Sequence, residues 1–572
     1  MKRFLSFLLG LCLIATGFAA AESTNTFKPG TYDVVVTAHN GPMTVHVTFD
    51  ETKLTAIEIG ENQESGYIGD QVFERISAEV IECQSLNVDS IAGATVTSAA
   101  LKWALSDAVK AAGGNPSKMN APASPDTTEY KDEVTQVVVV GSGAAGLAAT
   151  LQANELGLDV ILIEQLGLLG GSSVRAGYMV GGDSSVQKAQ GIDYSAEDWS
   201  NFMQRRDAIH PGLWQEESAR AMALKAGENI TWLDEMGVEF GPVNLGWQHY
   251  GPGGARVGPF AIRAMHDQLD QRKIDYRLYT RATEIIMDDG VAVGIKVVSP
   301  NKQEYSIYAN AVILATGGYF ANQEMVEKYD PEHAMFLTDV CIGADGSGML
   351  MAEKIGAVLD YMGESNYHGL ATVWGGGSRS LTLPAGNGCI AVNAEGKRYV
   401  NEAGPYELLT KGTMEQDEAF CIMDQTLMDL DVIKADTGLS NIVEMYEVAD
   451  TVEELAQKLG IDPAGLKATI EKYGQDVRDG KDTEFGKDPQ FMRGDFSTPP
   501  YYGVKSTVEN HTNHGGIVVD IENKVLDANG GIIKGLYAIG ECSASHIQGF
   551  YTYQDCIHNG RVVAQVIAEE LK

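Results

Sequence analysis

The run Val137-Val138-Val139-Val140 leads directly into Gly141-Ser142-Gly143-Ala144-Ala145-Gly146 and then into an alanine-rich stretch. Strand, glycine turn and helix in that order constrain the fold more than any other part of the chain. Gly141 allows the tight turn, and Gly143 lets the backbone approach a pyrophosphate. Gly146 permits close helix–strand packing, with Ala145 beside it at the phosphate-binding helix terminus. Glu164 closes the next apolar run, Val160-Ile161-Leu162-Ile163, where an acidic side chain accepts ribose hydroxyls. The pattern predicts an α/β, Rossmann-like dinucleotide domain opening near Gln136.

At 572 residues the chain exceeds one compact core. Its 78 acidic against 42 basic residues give a net charge of −36, which argues against nucleic acid and anionic lipid as partners. Lys2 and Arg3, the apolar stretch Phe4 to Ala15, and Ala19-Ala20-Ala21 read as a signal peptide over 1–21. That stretch is too short to span a bilayer, so an exported, periplasmic or extracytoplasmic protein without a membrane span is expected. Six cysteines remain beyond the leader, scattered and without any C-x-x-C. No metal site is expected from them, and buried free thiols are.

Residues 27–112 read as a small α+β unit of three strands and two helices, and 113–135 as a proline-punctuated linker. The dinucleotide domain follows over 136–359. A helix-rich acidic segment over 360–493 interrupts it, read as an inserted α+β capping domain, and 494–572 returns to it.

Within the first unit, Asp89-Ser90-Ile91-Ala92-Gly93-Ala94-Thr95 resembles the sequence on which flavin transferases esterify FMN to threonine. The resemblance implies an FMN-binding domain carrying covalent FMN on Thr95, with Gly93 and Ala94 giving room and Asp89 completing the pattern. Ala92 stands where Ser or Thr is usual. Further on, Gly170-Gly171-Ser172-Ser173, Thr316-Gly317-Gly318, Gly343-Ala344-Asp345-Gly346 and Gly540-Glu541 occur in the order seen in the flavoprotein family of fumarate and urocanate reductases and 3-ketosteroid dehydrogenases. This implies non-covalent FAD held by Gly171, Ser172, Ser173, Thr316, Gly317, Gly318, Asp345 and Glu541, besides the glycine turn and Glu164.

The same resemblance implies that His368 and His511 grip the substrate as neutral imidazoles. Tyr406 stands where reductases of the family have a proton-donating arginine, and Thr382 and Ala385 replace the Glu and Arg that relay protons to it. The late carboxylate-clamping arginine has no counterpart. Losing both arginines argues against fumarate and other dicarboxylates. Phe550, Tyr551 and Tyr553 would line the pocket with aromatic surface, and tyrosine, with a reference pKa of about 10, is a competent general acid.

The expectation is a reductase in which electrons pass from a membrane-linked donor through FMN to FAD, and then to the C=C bond of an unsaturated carbonyl or enoate-type acceptor in anaerobic respiration. Urocanate reductase-like activity, 3-ketosteroid-type dehydrogenation and a non-catalytic electron shuttle are the alternatives. A flavin transferase would act during maturation.

Overall fold

The structure is a computed structural model that describes residues 25–121, 126–207, 216–374, 377–435, 443–544 and 552–572. The leader read over 1–21, part of the linker, and Phe550 and Tyr551 lie outside these residues.

In the amino-terminal unit, β1 (Gly30–Thr37), β2 (Pro42–Phe49) and β3 (Leu54–Ile59) form an antiparallel meander. Alternation drives it: Met43, Val45, Val47 and Phe49 face inward from β2. Helices α1 (Ile68–Cys83) and α2 (Thr95–Ala111) cover that face, α2 through Leu101, Ala104, Leu105 and Ala108. The sequence suggests a helical segment from Ser98, yet α2 starts at Thr95 with Ala94 as its N-cap residue. Gly93, at φ 98°, turns the chain into it.

The dinucleotide domain is built on β4 (Glu133–Val140) and β5 (Val160–Ile163), which pair in parallel. Strands Asp275–Arg277, Glu304–Leu314 and Ile532–Ala538 extend the parallel sheet. Val140 is in register with both Ile163 and Leu314, so three strands end on one line, and a crevice opens at their carboxyl ends. Helix α3 (Ala144–Glu155) and the final helix Thr552–Glu570 pack tightly together. A Cβ on Gly560 would lie 2.5 Å from the Ala145 carbonyl oxygen.

The cap is α+β, with its helices set around a six-stranded sheet. Its order is Gly377–Ser380, Ser365–Trp374, Tyr501–Asn513, Ala419–Asp424 and Ile390–Asn393, with Glu447–Ala449 also on Tyr501–Asn513. Residues Ser365 to Thr372 are almost wholly buried, so the strand lacks the alternation that would announce it. The sheet runs past residue 493, because Tyr501–Asn513 pairs with cap strands on both sides.

Among the described residues no helix is long and apolar enough to cross a membrane. The six described cysteines are free; Cys83 is exposed and the others are buried or half-buried.

Candidate active site

Two clefts meet at the carboxyl edge of the parallel sheet. The first encloses about 810 Å³, part of it open to solvent, and is lined by Gly141, Gly143, Ala145 and Glu164, then by Gly171, Ser172, Ser173, Thr316, Gly317 and Glu541. A Cβ on Gly141 would sit 2.4 Å from the Ala315 carbonyl oxygen, whereas one on Gly143 would meet only Ser173 Oγ, at 3.6 Å. The turn is therefore packed behind and bare in front, a cradle for phosphate. Ser173 Oγ accepts from the Ala144 N–H at 3.0 Å, tying the serine loop to the helix terminus.

Glu164 accepts from the Ser142 N–H and hydroxyl at 3.0 and 2.6 Å and from the Leu166 N–H at 2.8 Å. Burial pushes its carboxyl above the ordinary range. Glu541 accepts from the Asn513 N–H at 3.0 Å, and burial pushes it up to about 7. These residues fit a dinucleotide laid across the edge, with Glu164 at one end and Glu541 at the other.

Three expected contacts fall outside this lining. A Cβ on Gly146 would lie 1.9 Å from the Gly141 carbonyl oxygen, so Gly146 serves packing, as the turn pattern requires. Gly318 is pressed against Asn513 Oδ1, where a Cβ would sit 1.8 Å away, and so supports Glu541 from behind. The Asp345 carboxylate pairs with Arg281, which itself lines the first cleft, at 3.0 Å and accepts from the Ser347 N–H at 3.0 Å. It faces a separate cleft between the dinucleotide domain and the amino-terminal unit.

Asp89 lines that same inter-unit cleft. Thr95 is exposed at the first turn of α2, with Gly93 exposed and Ala94 buried before it. The Gly167 N–H donates to the Ala92 carbonyl at 3.3 Å, docking the threonine turn on the loop that follows Glu164. An exposed hydroxyl at a helix N-terminus suits a phosphoester, whose charge the helix dipole stabilises.

The second cleft shares Ser172, Ser173, Glu541 and Cys556 with the first and contains His368, His511 and Tyr406 together. His368 lies directly across the strand pair from Glu509, and its Nδ1 is 2.7 Å from that carboxylate. His511 stands two residues beyond Glu509, where the strand pair shifts register, with its Nδ1 2.9 Å from Asp339. The donor atoms of Asp339, His368 and His511 lie within 4.8 Å of one another. Tyr406 opens the helix Tyr406–Met414, and its ring meets His368 edge-on at 5.5 Å.

The two imidazoles differ electrostatically, where the sequence treats both as neutral. Burial and the adjoining His511 hold His368 below the ordinary histidine range. Burial opposes charge on His511 too, but the Asp339 carboxylate outweighs it and raises His511. Asp339 itself is held well below the carboxylate range by His511 and Arg175, against its burial.

The sequence reading misses two arginines. Arg175 and Arg256 both line the second cleft, from the dinucleotide side rather than from the cap. Arg256 donates to the Arg175 carbonyl at 2.9 Å, and Arg175 lies 3.9 Å from Asp339. Among the described residues, the buried Nε of Arg175 and the hydroxyl of Tyr553 meet no hydrogen-bond partner. Tyr178, Tyr553 and Leu383 supply apolar wall, and Thr382 also lines the cleft, whereas Ala385 belongs to the cap core. Position alone could have flagged Arg175, which follows the Gly171-Ser172-Ser173 loop.

The segment from Gly396 to Glu402, just before Tyr406, is held by a buried ion network. Arg398 donates to Glu402 at 3.0 and 2.9 Å and to Asp482 at 3.0 Å, and Lys487 lies 2.8 Å from Glu402, all without side-chain exposure. This network anchors the turn that leads into the Tyr406 helix.

A Rossmann-like cradle opening onto a capped pocket of histidines and tyrosine defines a FAD-dependent oxidoreductase. Residues 136–554 match the FAD binding domain family, and residues 39–110 match the FMN-binding domain. Urocanate reductase of Eggerthella lenta is 31% identical over 90% of this chain and 88% of its own. The NADH:acrylate oxidoreductase of Vibrio harveyi is 28% identical over 90% of this chain, which spans 58% of that longer relative. An open-conformation flavocytochrome c3 fumarate reductase shares the fold at 28% identity, with a TM-score of 0.61 over 78% of this chain and 79% of its own. The chain thus belongs to the family of FAD-dependent oxidoreductases that includes these fumarate and urocanate reductases, and it carries an FMN-binding domain in front.

Proposed function

We propose that the protein reduces the C=C bond of an α,β-unsaturated carboxylate with a flat or apolar body, outside the cytoplasm, and takes its electrons through FMN esterified to Thr95. Bound FAD supplies the hydride. The observation that carries the reading is the pocket joined to the flavin cleft at Ser172, Ser173 and Glu541, which sets Arg175 and Arg256 against His368, His511 and Tyr406.

In this reading the arginines take the carboxylate, because a guanidinium matches it with charge-assisted hydrogen bonds. The loss of the proton-donating and the late carboxylate-clamping arginines argues against dicarboxylates; the Arg175–Arg256 pair suits one carboxylate. His511, held toward its charged form, draws electron density from the carbonyl side of the acceptor. His368 stays neutral and donates its Nδ1–H to Glu509, which leaves Nε2 facing the acceptor as a hydrogen-bond acceptor. Tyr406 returns a proton to the α-carbon. The cap closes the pocket to water. Thr95 meets the requirement for a tether through its exposure beside small residues. A membrane-linked donor would feed the FMN, and a flavin transferase would install it.

The test is a panel of acrylate, cinnamate, urocanate and fumarate offered to chemically reduced protein made in a host that flavinylates it. Oxidation by a monocarboxylate acceptor in preference to fumarate is expected; failure with all four sinks the reading. Intact mass after denaturation checks the tether, and Thr95→Val should lack the flavin increment.

A further inference from the structure

The strands that hold His368 also reach the FMN-binding unit. The Ser378 hydroxyl donates to the second carboxylate oxygen of Glu509, the first being taken by His368. Arg379, the next residue on that strand, is only 2% exposed. Its guanidinium meets Nε2 of His39, from the FMN-binding unit, at 3.4 Å. The charges acting on Arg379 are those of Arg175, which repels it, and of Glu64 and Glu509, which attract it. Glu64 belongs to the FMN-binding unit, where it accepts from the Asn40 N–H at 2.8 Å and from the Thr97 hydroxyl. Thr97 lies two residues beyond Thr95 on α2.

A buried guanidinium is tolerated only when opposite charge and hydrogen bonds surround it. Here the compensation is divided between two units: Glu64 and His39 on one side, Glu509 on the other. If the FMN-binding unit leaves, Arg379 loses the His39 contact and the attraction of Glu64, and the field at Glu509 changes. Glu509 fixes which ring nitrogen of His368 carries the proton. Glu509 is the carboxylate hydrogen-bonded to His368, while Asp339 bonds His511.

We propose that the FMN-binding unit completes the active site: His39 and Glu64 fix Arg379, and Arg379 positions Glu509 and, through it, His368. Arg379 is a positioning residue that touches neither acceptor nor flavin. The inference rests on His368 acting on the acceptor, as proposed above. It makes electron delivery and acceptor activation depend on one docked arrangement, so that the pocket is fully set only when the FMN-binding unit is seated.

The test uses the full-length protein carrying both flavins, fully reduced and mixed with acrylate, cinnamate or urocanate, with flavin reoxidation followed by stopped flow. Prior reduction takes electron delivery out of the measurement. Glu64→Ala and Arg379→Met should slow the first phase about tenfold to a hundredfold, the scale of a displaced catalytic group. The acceptor concentration giving half-maximal rate should change by less than about twofold. The acid limb of the rate, on which the neutral His368 gains a proton, should move, and Glu64→Asp should recover most of the rate. Independently of any acceptor, hydrogen exchange over 365–374 and 505–513 should quicken in Glu64→Ala, with 419–424 unchanged. Unaltered rates, pH dependence and exchange overturn the proposal, as does uniformly faster exchange, which would mean general loosening. If the parent reduces none of the three acceptors, the acceptor reading fails and the exchange comparison alone decides the coupling.

Discussion

The ring of His368 stacks on that of His511 with centroids 3.7 Å apart and planes 27° from parallel. Two imidazoles this close cannot both carry charge without repulsion, and the protein resolves the conflict with Asp339. Asp339 supports charge on His511, while burial and His511 keep His368 neutral.

The pH dependence follows from that asymmetry. His511 has a raised pKa, so its charged form is fully present below about 6.5, the unperturbed value, and is lost as pH rises through the raised one. In Asp339→Asn the support disappears, and the alkaline limb of kcat/KM should move toward acid. Each unit of displacement lowers activity about tenfold on that limb. A profile identical to wild type would remove Asp339 from the account.

Tyr406→Phe keeps the ring that meets His368 and removes only the hydroxyl. With a viologen as electron donor, kcat should fall about a hundredfold or more while KM holds, the range for loss of a general acid. Turnover near wild type would leave the proton to another group.

Arg256→Gln should raise KM for a carboxylate acceptor. A hydrogen bond between charged groups contributes about 1.5–3 kcal/mol, which corresponds to roughly tenfold or more in affinity. The methyl ester of the same acceptor, lacking the charge, should lose far less. Equal losses for acid and ester would place Arg256 in a structural role instead.

How much of this was legible in the sequence depends on how local the signal is. The Gly141–Gly146 turn, Glu164 and the serine loop stand out because each acts through a few consecutive residues, and all line the flavin cleft except Gly146, which packs behind it. His368, His511 and Tyr406 come together only through strand pairing of distant segments, so their placement needed the family resemblance. Asp345 carries a family motif and pairs with Arg281 at the edge of the flavin cleft. Arg175 and Arg256 escaped because neither stands in a motif that marks a carboxylate clamp, and only the folded cleft brings them together. The cap sheet escaped because a strand buried on both faces has no period. Glu509 lies two residues before His511, but only the cross-strand register with His368 reveals what it does.

The ion network beneath Tyr406 gives a prediction about stability rather than chemistry. Burial works against charge on Glu402, but Lys487 and Arg398 outweigh it and hold its carboxyl below the ordinary range. Its contribution is therefore present above about pH 4.3, the unperturbed glutamate value, and is lost as pH falls through the depressed one. Glu402→Ala leaves Lys487 and Arg398 with one fewer carboxylate in a fully buried setting, which should cost about 3–5 kcal/mol. Urea unfolding should show that loss at pH 7, and the wild type should approach the variant as pH drops below 4. The double change Glu402→Leu with Lys487→Met removes both charges and should recover part of the stability, because apolar side chains can fill a buried ion-pair site at little cost. If the double variant is no better than Glu402→Ala, the loss comes from packing of the turn and not from the stranded charge.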